Sequence, residues 1–73
     1  MRQMINGVEI DVPVESDGSV DADTVREVAG IPQDRALILK RRDGANEFIN
    51  PGEKVVVRPY EHFADAALHQ RGI

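Results

Sequence analysis

The stretch Met4-Ile5-Asn6-Gly7-Val8-Glu9-Ile10-Asp11-Val12-Pro13-Val14 decides how this chain starts to fold. Asn-Gly between apolar residues is the strongest short-range hairpin signal, because a type I′ turn needs positive φ at both central positions. Beyond the turn, Val8, Ile10, Val12 and Val14 alternate with Glu9, Asp11 and Pro13. That period of two predicts a strand with one buried face. Pro13 cannot donate to a ladder, so it marks an edge or the strand's end.

Working outward, Glu15-Ser16-Asp17-Gly18-Ser19 reads as a polar loop, and a short helix is predicted from Ala22 to Ala29. Asp21 is the expected N-cap, its carboxylate accepting from free first-turn amides. Val20 and Val25 have the spacing of a hydrophobic staple. Val25, Val28 and Ala29 share the predicted buried face, with Asp23, Arg26 and Glu27 toward water. Gly30 suits the left-handed position after the helix, and Pro32 prevents its continuation. So short a helix needs a sheet to pack on.

The second half supplies the rest of that sheet. Ala36–Lys40 reads as a strand, Asp43-Gly44 as a turn and Glu47-Phe48-Ile49 as a short return strand. Asn50-Pro51-Gly52 turns again, and the β-branched Lys54–Arg58 reads as the last strand, ended by Pro59. Ala64-Asp65-Ala66-Ala67-Leu68 has weak helical character, and residues 64–73 are expected to form a flexible C-terminal tail after a domain spanning 1–63. The expected class is α+β, a mixed four- or five-stranded sheet with one helix packed on one face. Its predicted core is Ile5, Val8 or Ile10, Val12, Val25, Val28, Ile31, Leu37, Leu39, Ile49, Val55 and Val57.

Composition narrows the function. Seventy-three residues make one domain at most. With no cysteine, neither disulfides nor a thiolate zinc site can staple it. The net charge of −4 argues against nonspecific nucleic-acid binding, which depends on clustered Lys and Arg. No apolar run approaches the roughly 18 residues of a membrane span, and no signal-peptide pattern opens the chain. A cytoplasmic monomer is expected, with no nucleic-acid or membrane partner.

The order of elements resembles the ubiquitin-like β-grasp proteins, and more narrowly the bacterial multiubiquitin-type domains. The resemblance is carried by Ile5-Asn6-Gly7, by Val25-Arg26-Glu27-Val28-Ala29-Gly30, and by Glu53-Lys54-Val55-Val56-Val57 with Phe63; it covers roughly residues 4–63. It implies a bacterial protein modifier rather than an enzyme, with no cofactor of its own. In that family an ATP-dependent activating enzyme adenylates a terminal glycine, which passes to a thiol and then to a target. Glycine suits this because a β-carbon would obstruct a backbone threading a narrow channel. Here Arg71-Gly72 resembles the Arg-Gly-Gly ending of ubiquitin, with the second glycine absent and Ile73 following. The implied partners are a processing protease that removes Ile73 to expose Gly72, activating and conjugating enzymes, and target proteins. Lys40, Lys54 and the Met1 amine are the candidate acceptors for a further copy.

A second surface follows from alternation. With Leu37 and Leu39 inward, Ile38 faces out; with Val55 and Val57 inward, so does Val56. In a β-grasp sheet the two strands are expected to be neighbours, giving an apolar spot of Ile38 and Val56 rimmed by Lys40 and Arg58. Such a spot suits a docking protein.

Other constellations carry little. His62 and His69, with Glu61 and Asp65 nearby, lack a rigid frame for a metal, and Lys40-Arg41-Arg42 reads as a solvated strand end. No Ser/His/Asp arrangement or phosphate-binding glycine loop occurs. Two alternatives to the modifier stand: a noncovalent interaction module using the Ile38–Val56 face, and a sulfur carrier whose terminal glycine becomes a thiocarboxylate.

Overall fold

The computed structural model describes residues 1–67. Strand β1 (Arg2–Ile5) turns into β2 (Val8–Asp11), then β3 (Ser19–Asp21), helix α1 (Ala22–Ala29), β4 (Arg35–Lys40), β5 (Asn46–Ile49), β6 (Lys54–Val56) and β7 (His62–Ala67). Five strands form one mixed sheet in the order β2-β1-β7-β4-β5; β3 and β6 pair separately as a two-stranded sheet. Strands β1 and β7 run parallel, and the other pairings are antiparallel.

Local chemistry explains the first turn and the helix. Asn6 and Gly7 hold φ of 53° and 79°, as the I′ hairpin requires, and Ile5 faces Val8 across it. The Asp21 side chain caps α1 by accepting from the Asp23 amide at 2.8 Å. Gly30 closes the other end at φ 71°, and the Ile31 amide reaches the Arg26 carbonyl at 2.9 Å.

The core lies between α1 and one face of the large sheet. Ala22 and Val25 of the helix pack with Ile5, Leu37, Leu39, Ile49 and Phe63 of the sheet and with Val12, Val20, Ile31 and Val57. The buried helix stripe is Ala22, Val25 and Arg26, with Ala29 partly covered, so Val28 is exposed and Arg26 is buried. That reverses their expected positions. Arg26 donates through Nη1 to the carbonyls of Pro32 and Arg35, both at 2.8 Å, tying the α1–β4 loop to the helix. Val8, one of the two alternatives for a core place on β2, is exposed, whereas Ile10 packs on the core.

Three expected elements need correction. Ser19–Asp21, placed between a polar loop and a cap, is a strand, because Val20 faces Val55 across the small sheet. The strand at residue 54 ends at Val56 rather than Arg58. Most consequential, residues 64–67 belong to β7 and not to a tail. Strand β7 is the middle strand of the large sheet, with Phe63 beside Ile5 on one side and Leu39 on the other. Residues 68–73 of the expected tail lie outside the described residues.

Candidate partner-binding face

On the sheet face opposite the core, three strands bring a row of side chains together. Ile38 of β4 faces Phe48 of β5 on one side and Ala64 of β7 on the other. Ala36 faces Ala66 in the row beyond, and Lys40 stands between Asn46 and His62 in the row before. Met4 of β1 sits across from His62. The placement follows from parity. Leu37, Leu39, Ile49 and Phe63 are buried, so their neighbours Ile38, Lys40, Phe48 and Ala64 point the other way. Phe48 is 66% exposed, the largest exposure among the big apolar side chains described.

The expected partner surface is therefore only partly assembled. Ile38 and Lys40 share the face as anticipated. Val56 does not join them: it lies on β6 opposite Ser19 in the two-stranded sheet, and the strands beside β4 are β5 and β7. Arg58 lies in the β6–β7 connection, its carbonyl accepting from Gln3 Nε2 at 3.0 Å and its amide donating to Glu61 Oε2 at 3.3 Å. Phe48 takes the place expected of Val56. Its signal was available, since it precedes the apolar Ile49 in a short strand and so points away from the core. Arg71 and Gly72, the expected conjugation terminus, lie outside the described residues.

A polar cluster anchors the end of this face near the β4–β5 turn. Buried Glu61 accepts from Arg41 Nη1 at 3.1 Å, and its amide donates to Gln3 Oε1 at 2.7 Å. Arg41 also holds Glu47, through Nε at 2.9 Å. Those contacts, Glu47 first, raise the Arg41 pKa and keep its guanidinium charged. Arg42 donates to the Pro59 carbonyl at 3.1 Å. Arg41, Arg42 and Arg58 with Asp43, Glu47 and Glu61 line a shallow cleft of about 330 Å³.

Charge is unevenly paired around the sheet. Arg2, Arg35, Arg41 and Lys54 each meet a carboxylate. Lys40, Arg42 and Arg58 meet none within 4.0 Å among the described residues. All three stand at or near the end of the face beside the β4–β5 turn. The apolar platform thus ends in a rim where three cations without a carboxylate partner stand near Asp43, Glu47 and Glu61.

At the other end of the sheet, Asp65 accepts from Arg35 Nε and from Asn6 Nδ2, and its amide donates to Asn6 Oδ1 at 3.2 Å. The Arg35 hydrogen bond first, then that from Asn6, holds the Asp65 carboxyl below the usual range. The cluster locks β7 to β4 and to the first hairpin turn, two residues before the described chain ends.

Among the described residues, no group of three or more His, Asp or Glu could hold a metal ion. No helix among them is long and apolar enough to cross a membrane. Neither a family model, nor a curated protein, nor a solved structure matches this chain.

Proposed function

We propose that the chain is a β-grasp, ubiquitin-like protein modifier, attached to targets through Gly72 after removal of Ile73. The observation that carries this reading is the sheet order β2-β1-β7-β4-β5, with β7 parallel to β1 at its centre. A mixed sheet with two parallel central strands and one helix on one face is compatible with a β-grasp, although the strand of Val56 lies outside it. The order makes the most firmly held strand of the sheet the one that leads toward Arg71-Gly72. A modifier needs its reactive terminus carried by a rigid body, so that an activating enzyme can grip the body and reach the end.

The chemistry balances simply. The Gly72 carboxylate attacks the α-phosphorus of ATP, releasing pyrophosphate; an enzyme thiol then displaces AMP, and a target amine or hydroxyl displaces the thiolate. Intact-mass measurement of the protein recovered under denaturing conditions from its host tests the reading. A species ending at Gly72 with covalent adducts of higher mass is expected, and Gly72→Ala should abolish the adducts. Only chains ending at Ile73, without adducts, would overturn it.

A second reading is favoured by the exposed Phe48 beside Ile38: the open face docks partner proteins without a covalent step. Substitution of Ile38 by Asp should then abolish capture of such a partner, while deletion of residues 70–73 leaves capture unchanged. The opposite pattern returns the weight to the terminus.

A further inference from the structure

The two edges of the large sheet are not equivalent. At the β4–β5 turn, the Arg41 amide donates to the Ala45 carbonyl at 2.8 Å and the Gly44 amide to the Arg41 carbonyl at 3.0 Å. Arg41 and Ala45 are therefore a hydrogen-bonded pair, and antiparallel alternation makes Leu39–Glu47 and Leu37–Ile49 the next ones. The amides and carbonyls of Asn46 and Phe48 then point away from β4, along the outer edge of β5. By the same alternation, β2 turns the backbone of Glu9 and Asp11 outward, because Val12 and Met1 pair across β1 and β2 at 2.9 Å. Both outward residues of that edge carry carboxylates, a device that discourages strand addition, whereas a proline follows two residues beyond each edge strand, Pro13 and Pro51. On β5 the outward residues Asn46 and Phe48 are uncharged, the carboxylate of Glu47 is held by Arg41, and Phe48 stands exposed beside its free amide.

Charge gives the β5 edge a direction. Its Asn46 end lies by Lys40, Arg42 and Arg58, which lack carboxylate partners among the described residues. Beyond its Ile49 end comes Glu53, whose carboxylate accepts from the Asn50 amide at 2.7 Å. The Asn46 end thus holds three cations without a carboxylate partner, beside Asp43, which accepts from the Ala45 amide, and Glu47 and Glu61, which Arg41 holds; the Ile49 end carries Glu53.

We propose that the free edge of β5 receives an extended apolar segment of a partner protein, added antiparallel as a sixth strand, with acidic residues at the segment's C-terminal end. Backbone bonds to Asn46 and Phe48 hold the segment, and an apolar side chain of the partner covers Phe48. Antiparallel addition carries the partner's C-terminal end to the Asn46 side, where Lys40, Arg42 and Arg58 meet its carboxylates. This deepens the docking reading by naming the partner's chemistry, and it rests on that reading.

The test uses the full chain, uniformly labelled with nitrogen-15, and a synthetic peptide of alternating valine and threonine ending in two aspartates. Amide shifts and hydrogen exchange are followed during titration. The expected result is slowed exchange, by about tenfold or more, at Asn46 and Phe48, with Glu9 and Asp11 unchanged. A peptide with its aspartates moved to the N-terminal end should bind several-fold more weakly. Asn46→Pro removes an outward amide that the β4 ladder does not use, so the fold is retained while binding falls about tenfold; Asn46→Ala is the control. Unchanged β4 amide shifts confirm that the proline variant is folded. Shifts at Ile38 and Ala64 without protection of Asn46 and Phe48 overturn the edge proposal and leave face docking standing. Equal binding by the proline variant, or protection of the β2 edge instead, also overturns it. No shift anywhere overturns both.

Discussion

Ile38 and Phe48 stand directly opposite each other on adjacent strands, on the face of the sheet that α1 leaves open. Leu37 and Leu39, one residue to either side of Ile38, are almost completely buried. The same three-residue segment therefore serves the core and the outer surface, and the two roles separate by parity alone.

That separation predicts opposite mutational signatures. Leu39→Ala should cost about 2–5 kcal/mol, because it removes methyl groups from a packed interior. Phe48→Ala should change stability by no more than about 0.5 kcal/mol, because its ring is mostly in water. Denaturant midpoints measured on both variants check this; a Phe48→Ala loss as large as that of Leu39→Ala would mean the ring is covered.

The Arg35–Asp65 contact predicts acid sensitivity of a definite sign. The folded state lowers the Asp65 pKa, chiefly through Arg35 and then Asn6. The unfolded chain then binds the proton more readily than the folded one, so this contribution is present above the ordinary aspartate pKa of about 4. It is lost as pH falls from there through the depressed folded value. Stability measured between pH 7 and pH 2 should fall at the acid end, and the fall should be shallower in Asp65→Asn. An identical pH profile for that variant would remove Asp65 from the account. The contact holds β7 to Arg35 of β4 and to Asn6 of the first hairpin turn.

Much of the local structure was legible in the sequence, and most of what was missed is non-local. Asn6-Gly7 and the caps Asp21 and Gly30 state their conformations within a few residues, so the hairpin and helix follow directly. Ser19-Val20-Asp21 has no run of alternation and becomes a strand only through Lys54–Val56, more than thirty residues away. Ala64-Asp65-Ala66-Ala67 has the composition of a helix or tail. Tertiary context overrides that propensity, with β1 and β4 offering hydrogen bonds on both sides. The misplacement of Val56 beside Ile38 had the same origin, since alternation tells which way a residue points and not which strand lies next to it. Ile38 and Lys40 survived because they share one strand.

Arg26 carries a different prediction. Its side chain is buried at the C-terminal end of α1, where the helix dipole favours a cation. One nitrogen serves two carbonyls, while buried Nε has no hydrogen-bond partner. Arg26→Ala should destabilise the protein by about 1–3 kcal/mol, since the Pro32 and Arg35 carbonyls lose their donor. Arg26→Leu should recover part of that loss, because it refills the space without a charge to desolvate. Thermal unfolding of the pair measures the difference, and a leucine variant weaker than the alanine one would show that the carbonyl contacts outweigh packing.

The two lysines differ in a way that bears on the modifier reading. Lys54 holds Glu15 at 2.8 Å, and that contact raises its pKa. Lys40 has no carboxylate partner among the described residues and stands on the open face beside Asn46 and His62. Attack on a thioester needs an unprotonated, unencumbered amine, so a raised pKa and a held ammonium both slow the reaction. The Met1 ammonium is tied as well, to Asp11 and to the Val12 carbonyl, each at 3.0 Å. If copies of the chain are joined through a lysine, Lys40 should therefore be the main acceptor. Lys40→Arg should reduce such chains several-fold, while Lys54→Arg leaves them nearly unchanged. Peptide mapping of linked species reads the outcome directly, and linkage mainly at Lys54 would mean that the activating machinery, rather than the free amine, selects the site.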